Sequence, residues 1–334
     1  VVPPGSYRGW RFTITDTEGG QMVRETSQAE VVLAANHIKT YNPIAYAATE
    51  PAPVALDASA TANCYVVARA GRYEFDATTM GNGAVTPPDA AYTAGSTCGK
   101  ADGIVPEALR PVTAKLLWQT APNLIGEVSL GEEGRIRFTT ADPFVEGNAV
   151  VAACDADGAI LWSWHLWLTS ADLEGSLHRY ALPYEGLGAA AVMDRNLGAL
   201  AAAWLGADNV SSYGMFYQWG RKDPFPRPLD IVRSSATTVD NKELTANATT
   251  SAEVGTVSYT ISNPDIRIFS ANDWHNEWRN NGLWGNSDGL TKNVKTVYDP
   301  CPEGYCVPDQ NCYQGFTFTS KTECDNNYGH LFVI

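Results

Sequence analysis

The sequence predicts a mainly β protein built around an antiparallel sandwich. Short apolar runs alternate with glycine-containing turns at regular intervals, a spacing typical of sandwiches and unlike that of βαβ units. Aromatic residues are abundant, with 10 Trp and 15 Tyr among 334 residues, while only 18% of the residues are charged. This balance favours half-buried positions on pleated sheets and excludes disorder of the whole chain. The length predicts two domains, with room for part of a third.

The clearest strand covers residues 160–168. Alternation places Trp162 and Trp164 on one face, among other apolar side chains, and Ser163 and His165 on the other. The apolar face is predicted to lie in the core, whereas the mixed face suits a domain boundary. We therefore expect His165 to pack at that boundary rather than to act in catalysis.

Further strands are predicted on both sides of this one. The runs at 64–67 and 73–75, joined at Gly71, are predicted to form a hairpin. A second hairpin turn is predicted at Asp155 to Gly158, because Leu166 stands where a calcium loop starting at Asp155 needs a bidentate Glu. The other predicted strands lie at 10–15, 30–34, 114–118, 124–130, 135–139, 149–153 and 213–220.

The charge balance and hydropathy limit the classes of partner. The chain has 23 Lys+Arg against 37 Asp+Glu, a net charge of -14, and no basic cluster that would follow a phosphate backbone. Nucleic acid is therefore not an expected partner. No apolar run approaches the roughly 20 residues that a transmembrane helix needs, so no transmembrane segment is expected. The first residues resemble neither a signal peptide nor a Met start, and we expect a processed or trimmed chain.

The cysteines favour disulfides over a metal site. No C-x-x-C occurs and no His lies near a cysteine in a ligand pattern, so neither a metal nor another cofactor is predicted. Four cysteines lie in the last 34 residues, and in an oxidising compartment they would pair in one of three ways; in a cytosolic protein they would stay thiols. We expect at least one pair, and the odd total leaves at least one thiol over. The seven are Cys64, Cys98, Cys154, Cys301, Cys306, Cys312 and Cys324.

Three ordered motifs lie in the C-terminal half, at 194–199, 216–225 and 298–308. Together they resemble one known module, the Fibrobacter succinogenes major paralogous domain, which is widespread in surface proteins of Bacteroidetes. Segments ahead of them resemble stretches of fimbrial-tip or surface adhesin candidates of Bacteroidales, and they lie at 61–67, 147–150 and 160–167. The resemblance therefore reaches from about residue 60 to the end of the chain.

The resemblance implies an immunoglobulin-like β-sandwich followed by a C-type-lectin-like α+β module, on an exported protein at the outer membrane or in a fimbria. The expected domains are the end of a preceding β-domain or a linker at 1–60, the sandwich at 61–185 and the lectin-like module at 186–334. Two features depart from the family pattern: Cys306 stands where Arg is usual, and the sequence stops at Ile334, before the usual later strands. The motif residues expected to shape the module are Asp194, Arg195, Asn196, Trp219, Arg221, Asp223 and Cys301.

An aromatic and polar cluster near residue 275 is the candidate ligand site. Indole rings beside amides and carboxylates suit a sugar, whose apolar faces are rimmed by hydroxyls. The alternative is a short helix, capped by Ser270 or Asn272, whose Trp residues pack on the core. The candidate ligand-binding residues are Asp273, Trp274, Asn276, Glu277, Trp278, Asn281 and Trp284.

No catalytic residue is predicted. Ser287 lies in a G-x-S-x-G pattern upstream of His330, but the strand and helix that such an elbow needs are not predicted around it. Asp194 and Arg195 are expected to fix a turn rather than to bind a ligand. The chain also lacks the triplets of calcium-dependent sugar-binding lectins.

The predicted function is therefore that of a non-enzymatic cell-surface adhesin, including a pilus-tip subunit. It would bind a host or bacterial surface glycan or protein through the lectin-like module. Two alternatives stay open. One is a structural pilus subunit that binds only neighbouring subunits. The other is a surface glycan-handling accessory protein or hydrolase that uses Ser287 or the acidic residues near Trp274.

Overall fold

The computed structural model describes residues 3–15, 20–25, 28–35, 45, 52–82, 108–179, 191–203, 210–226, 247–270, 273–277, 280–284 and 295–308. Within them strands far outnumber helices, which confirms the mainly β prediction. The chain divides into two compact units, Val1–Pro53 and Val54–Ile334. The predicted boundary near residue 185 therefore falls inside the second unit, and whether 61–185 and 186–334 fold independently stays a prediction.

The first unit contains two antiparallel strand pairs. The rings of Trp10 and Tyr7 lie 5.0 Å apart, and those of Trp10 and Phe12 lie 6.4 Å apart, so one aromatic row runs along this part of the chain. The predicted strands near 10–15 and 30–34 are both found. β1 pairs with β4 and β2 with β3, their bounds being β1 (Gly5–Arg8), β2 (Arg11–Thr15), β3 (Gln21–Glu25) and β4 (Glu30–Leu33).

The second unit is built on two four-stranded sheets. One has the order β6-β12-β11-β8 and the other the order β5-β7-β10-β9. All neighbouring strands are antiparallel except two edge pairs, in which β6 runs parallel to β12 and β5 parallel to β7. The strands are β5 (Val54–Ala55), β6 (Cys64–Val67), β7 (Arg72–Asp76), β8 (Thr113–Gln119), β9 (Ser129–Leu130), β10 (Arg135–Thr139), β11 (Gly147–Cys154) and β12 (Ile160–Leu168).

The predicted hairpin of β6 and β7 is wrong, although both strands exist. β6 pairs with β12 and β7 with β10, so the connection through Gly71 passes from one sheet to the other. The reason is that both strands carry large apolar side chains that pack across the sandwich instead of side by side. The ring of Tyr65 on β6 lies 4.7 Å from that of Phe75 on β7.

The core lies between the two sheets, and the largest side chains in it come from β12. Trp162 and Trp164 are buried in this core, as the alternation predicted, and Trp164 packs at 5.2 Å from Phe75 of the opposite sheet. β11 supplies small residues opposite these rings, because two indoles leave little room. Its core residues are Ala149, Val151 and Ala153.

The predicted hairpin turn between β11 and β12 is confirmed. Gly158 has a φ of +81°, which an L side chain rarely adopts, and its N–H donates to Asp155 O at 3.2 Å. The Asp155 carboxylate accepts from the N–H groups of Asp157 and Ala159, at 3.0 and 2.8 Å. The acidic side chain therefore closes a turn.

The C-terminal part of the second unit holds short elements. These are β13 (His178–Arg179) with β14 (Ala191–Val192), β15 (Asn247–Thr249) parallel to β16 (Arg267–Phe269), and the helix α1 (Val257–Ser262). Thr256 caps α1 by accepting the Tyr259 N–H, and Ile261 packs against the sandwich core. This segment is therefore attached to the sandwich by a helix as well as by its loops.

The aromatic strand predicted at 213–220 is wrong. Only a single bridge forms there, between Phe216 and Phe225. The reason is the backbone of the two glycines: Gly214 and Gly220 have φ values of +74° and +89°, which interrupt an extended strand. The segment instead turns back on itself, so that the second motif forms a compact loop.

Candidate functional site: the motif segments on the sandwich

The outer face of β12 is the surface on which the first two motif segments converge. Ser163, His165 and Trp167 point away from the core, yet each is no more than 1% exposed. Polar side chains are rarely buried so deeply unless they have partners. The segments that follow the sandwich in the sequence supply partners for Ser163 and for one nitrogen of His165, while the Trp167 ring packs with Leu173.

The second motif contributes a buried ion pair to this face. Lys222 Nζ donates to Asp223 Oδ1 at 2.6 Å, to Ser163 Oγ at 2.6 Å and to Ser163 O at 3.0 Å. Ser163 Oγ donates in turn to Asp223 Oδ1 at 2.6 Å. Burial lowers the pKa of Lys222, while the neighbouring Asp223 carboxylate opposes that shift. The lysine and the aspartate thus compensate each other's loss of water, and Lys222 also lies 4.6 Å from the centre of the Trp162 ring.

The first and second motifs meet at His165. The imidazole Nε2 lies 2.9 Å from Asn148 Oδ1, and the Asn148 amide donates to Gly198 O at 2.9 Å. Since the Asn148 amide nitrogen is already used, its oxygen accepts and Nε2 carries the proton. The Tyr217 hydroxyl lies 3.4 Å from Nδ1, which can then accept from it.

Burial governs the ionisation of these groups. It lowers the pKa of His165 to about 3, so the ring is neutral near pH 7. It also raises the pKa of Tyr217, which keeps the phenol protonated. A neutral imidazole in the interior, with both nitrogens engaged, holds Asn148 and through it the Gly198 turn.

The first motif is stabilised by its own side chains. Arg195 donates to both carboxylate oxygens of Asp194, at 2.6 and 2.9 Å. Burial alone would raise the pKa of Asp194, but the hydrogen bond and charge of Arg195 outweigh it and the pKa is lowered. Asn196 reaches forward and donates to Tyr213 O at 3.1 Å. The motif therefore positions the segment that leads into the second motif.

Arg221 organises the chain around the end of α1. Its guanidinium is 2% exposed and lies 4.9 Å from the Phe225 ring centre and 6.0 Å from that of Trp274. Burial lowers its pKa to about 10, at which it remains protonated near pH 7. It donates to Gln218 Oε1 and to main-chain carbonyls that follow the helix, those of Asn263, Pro264 and Ile266. A cation at a helix C-terminus satisfies carbonyls that have no partner within the helix.

Asp299 organises the loop of the third motif. Its carboxylate is fully buried and accepts the N–H groups of Cys301 and Val307, at 2.8 and 2.9 Å. Its main-chain carbonyl accepts from the side-chain amides of Asn63 and Asn82, at 2.8 and 2.9 Å. The motif loop is therefore attached to the sandwich by two amides.

Lys295 closes the same loop from its other side. Its ammonium donates to Asp299 Oδ1 at 3.0 Å and to the carbonyls of Cys301 and Tyr305 at 2.8 Å each. A third carbonyl, that of Pro302, lies at 3.2 Å. Sequence reasoning did not single out Lys295, Asn63 or Asn82. Of the three, Asn63 alone lies within a segment that carries the resemblance.

The candidate ligand site differs from an open sugar platform. Trp274 and Trp284 are 4% and 6% exposed, and Trp274 donates its indole N–H to Trp219 O at 2.6 Å. The Trp219 and Trp284 rings lie 4.9 Å apart. Both candidate rings are buried: Trp274 packs in one cluster with Ile268 and Leu283, and Trp284 packs against Trp219. The positions of these two rings therefore agree with the alternative interpretation, in which the Trp residues pack on the core.

The polar members of that candidate site are nearer the surface. Asn276 and Glu277 are exposed and Asp273 is half-buried. Residues 273–277 form turns instead of the expected short helix, because Asp273 accepts the His275 N–H at 3.0 Å and His275 Nδ1 accepts that of Glu277. Asn276 donates to Ala252 O at 2.8 Å. Trp278, Ser287, His330 and the Asn281 side chain lie outside the residues that the structure describes.

Two absences apply to the described residues only. Among them, no group of three or more His, Cys, Asp or Glu side chains is arranged to hold a metal ion. Their helices are all too short or too polar to cross a membrane.

Comparison with known proteins adds no relative to this picture. No protein-family model, no curated protein and no solved structure matches the chain. The resemblance described above therefore depends on the motif residues alone, and any function has to be argued from the chemistry and placement of these residues.

Proposed function

We propose that this chain is an exported cell-surface adhesin in which an immunoglobulin-like sandwich carries a C-type-lectin-like module. The module would bind a surface glycan or protein, either on a stand-alone surface protein or at the tip of a pilus. The proposal is non-enzymatic and requires no cofactor.

The observation that carries this proposal is the convergence of the three motifs. Each one is tied to the sandwich by buried polar contacts: Gly198 to Asn148, Lys222 to Ser163, and Asp299 to Asn63. These contacts lie far apart in the sequence; the first two lie on the outer face of one sheet, and the third lies at Asn63, which also accepts the indole N–H of Trp162 from the core side. Such an arrangement supports a scaffold role for the motif residues, because their charged groups are paired with partners inside the protein.

The connecting segments are then the candidates for recognition. The stretch 227–265 is rich in Ser, Thr, Asn and Val, and 271–288 contains Trp278 together with several amides and carboxylates. These side chains suit hydrogen bonding to hydroxyl groups or to a protein surface. With Trp274 and Trp284 packed inside, the ligand-site proposal narrows to Asp273, Asn276, Glu277, Trp278 and Asn281.

The test is binding by the intact chain to a glycan array and a protein array, followed by calorimetry on any hit. We expect a ligand whose affinity falls at least tenfold in Trp278→Ala or Glu277→Ala, with the melting temperature unchanged. Asp157→Asn, at the exposed turn before β12, is the matched control and should bind like the wild type. An intact, folded chain without any ligand would contradict the proposal.

Two other outcomes would favour the alternatives. Binding only to further copies or to pilus subunits would identify a structural subunit. Turnover of ester or glycoside substrates that is lost in Ser287→Ala or Asp273→Ala would identify a hydrolase.

A further inference from the structure

Arg267 and Phe269 form a surface pair on β16, on the face opposite to the buried Ile268. Ile268 is 2% exposed and packs with Trp274 and Leu283 inside the C-terminal segment. Because side chains alternate along a strand, Arg267 and Phe269 point the other way. Phe269 is 47% exposed, and the guanidinium carbon of Arg267 lies 5.0 Å from the centre of its ring. An aromatic ring and a cation therefore lie together at the surface.

The backbone beneath this pair is held from both sides. Gln218 of the second motif accepts the Ile268 N–H at 3.1 Å and donates to Ile268 O at 2.8 Å. On the other side, β16 pairs with β15, and Phe269 O accepts the Thr250 N–H at 2.9 Å. A surface that is already ordered loses little conformational entropy when a ligand binds. The second motif thus helps to present the pair in a fixed position.

Arg267 has no acidic partner of its own. Within the part of the chain that the structure describes, its guanidinium forms neither an ion pair nor a hydrogen bond. Asp265, the nearest acidic residue in the sequence, is close enough to Arg221 to oppose the lowering of the Arg221 pKa by burial. Arg195, in contrast, binds both carboxylate oxygens of Asp194. The planar fork of Arg267, which matches the two oxygens of a carboxylate, is therefore available to an external anion.

The pair adjoins the polar residues of the proposed ligand site. The Thr250 hydroxyl donates to Phe269 O at 3.1 Å and to Trp274 O at 3.5 Å. One side chain thus joins the end of β16 to the turn that carries Asn276 and Glu277, both of which are exposed. A ligand bound at the turn therefore has an aromatic ring and a guanidinium nearby.

We propose that Arg267 and Phe269 bind the carboxylate-bearing sugar of an acidic glycan. This inference rests on the adhesin function proposed above and names the class of its ligand. The exposed part of the phenyl ring packs against the apolar face of the sugar, and the guanidinium binds both oxygens of the carboxylate. The net charge of -14 does not prevent this, because exposed charges more than about 8 Å away are largely screened at physiological salt.

A glycan array with matched pairs tests the role of the carboxylate. Each glycan that contains a uronic or sialic acid is printed beside the same glycan with its carboxyl groups reduced to alcohols. We expect the full chain to bind at least one carboxylated glycan, and its apparent affinity to fall at least tenfold for the reduced form. Equal binding to both forms, or binding only to neutral glycans or to proteins, would overturn this inference and leave the adhesin function intact. A folded chain that binds nothing would overturn both.

Variants test whether the pair is the binding site. In calorimetry, Arg267→Gln and Phe269→Ala should each weaken binding of the array hit at least tenfold. Arg267→Lys should lose most of the affinity as well, because an ammonium lacks the planar fork. Arg69→Gln removes the same charge from an exposed site between β6 and β7 and should bind like the wild type. Melting temperatures within about 2 °C of the wild type are expected for all four variants. Unchanged affinity in Arg267→Gln would overturn the inference even for a carboxylated ligand.

Discussion

Asn63 donates its side-chain amide to Asp299 O at 2.8 Å, across 236 positions of the sequence. The same amide also donates to Val297 O at 2.7 Å, while Asn63 Oδ1 accepts the indole N–H of Trp162 at 3.0 Å. One buried side chain thus connects the start of β6, the first half of β12 and the third motif. We expect the motif loop to depend on this residue.

Asn63→Ala should destabilise the loop at 295–308 more than the rest of the protein. The substitution removes the Asn63 partner of Val297 O and of the Trp162 indole N–H, and one of the two amides that donate to Asp299 O, at a cost of about 2–4 kcal/mol in the free energy of unfolding. Hydrogen exchange should be faster at the amides of Cys301 and Val307. Asn276→Ala, which removes an exposed amide bond to Ala252 O, is the control. Unchanged exchange in the loop of the Asn63 variant would refute this role.

The buried pair of Lys222 and Asp223 should show strong coupling. Asp223→Ala leaves an ammonium in the interior, and we expect it to lower the free energy of unfolding by about 3–5 kcal/mol in urea titrations. The double variant Lys222→Met with Asp223→Ala should cost less than the single one, because no charge then remains buried. Asp157→Asn, at an exposed site, should change stability by less than about 0.5 kcal/mol. A double variant at least as unstable as Asp223→Ala would contradict the coupling.

His165 should make the protein less stable as the pH falls from 7 to 5. Its folded pKa is lowered to about 3, whereas the unfolded imidazole titrates near 6.5. In this window the unfolded state binds a proton that the native state does not, so stability falls by about 1.4 kcal/mol per pH unit below 6.5. His165→Gln should abolish most of this slope, while the exposed His178→Gln should retain it. Equal slopes in both variants would contradict the assignment to His165.

Two glycines with nearly the same φ offer a matched comparison. Gly198 and Gly158 have φ values of +82° and +81°, but a Cβ at Gly198 would lie 2.6 Å from Met215 Cγ and 2.9 Å from Asn148 Oδ1, whereas one at Gly158 meets nothing within 4 Å. Gly158→Ala should therefore cost about 1 kcal/mol, from backbone strain alone. Gly198→Ala should cost about 2–4 kcal/mol in the same unfolding titration, because overpacking is added. Similar costs would show that the neighbours of Gly198 yield easily.

The sequence identified several elements because their signals are local. Strand alternation depends only on a period of two, so the faces of β12 were predicted correctly. The turn at Asp155 to Gly158 was equally clear, since an aspartate and a glycine supply the hydrogen bonds and the positive φ that such a turn needs. The strand predicted at 213–220 is wrong because the aromatic residues favoured a strand, whereas Gly214 and Gly220 interrupt it.

The pairing of strands and the burial of side chains were harder to predict from the sequence. β6 and β7 have the pattern of a hairpin, but their apolar faces are better buried by packing across the sandwich in two different sheets. For the Trp residues near 275, composition suited a sugar surface and a core equally well. The indole N–H of Trp274 donates to Trp219 O, 55 positions away in the sequence. No local sequence pattern predicts such a contact.

The sequence by itself determined the mainly β class, most strands of the sandwich and the segments that carry the motifs, because each depends on neighbouring residues. Only the tertiary structure decided which strands pair and which charged side chains are paired inside the protein. It brought Asn63 to Asp299 and Lys222 to Ser163. The reason is that a buried polar group must find its partner wherever the folded chain places one, and that distance in space is unrelated to distance along the sequence.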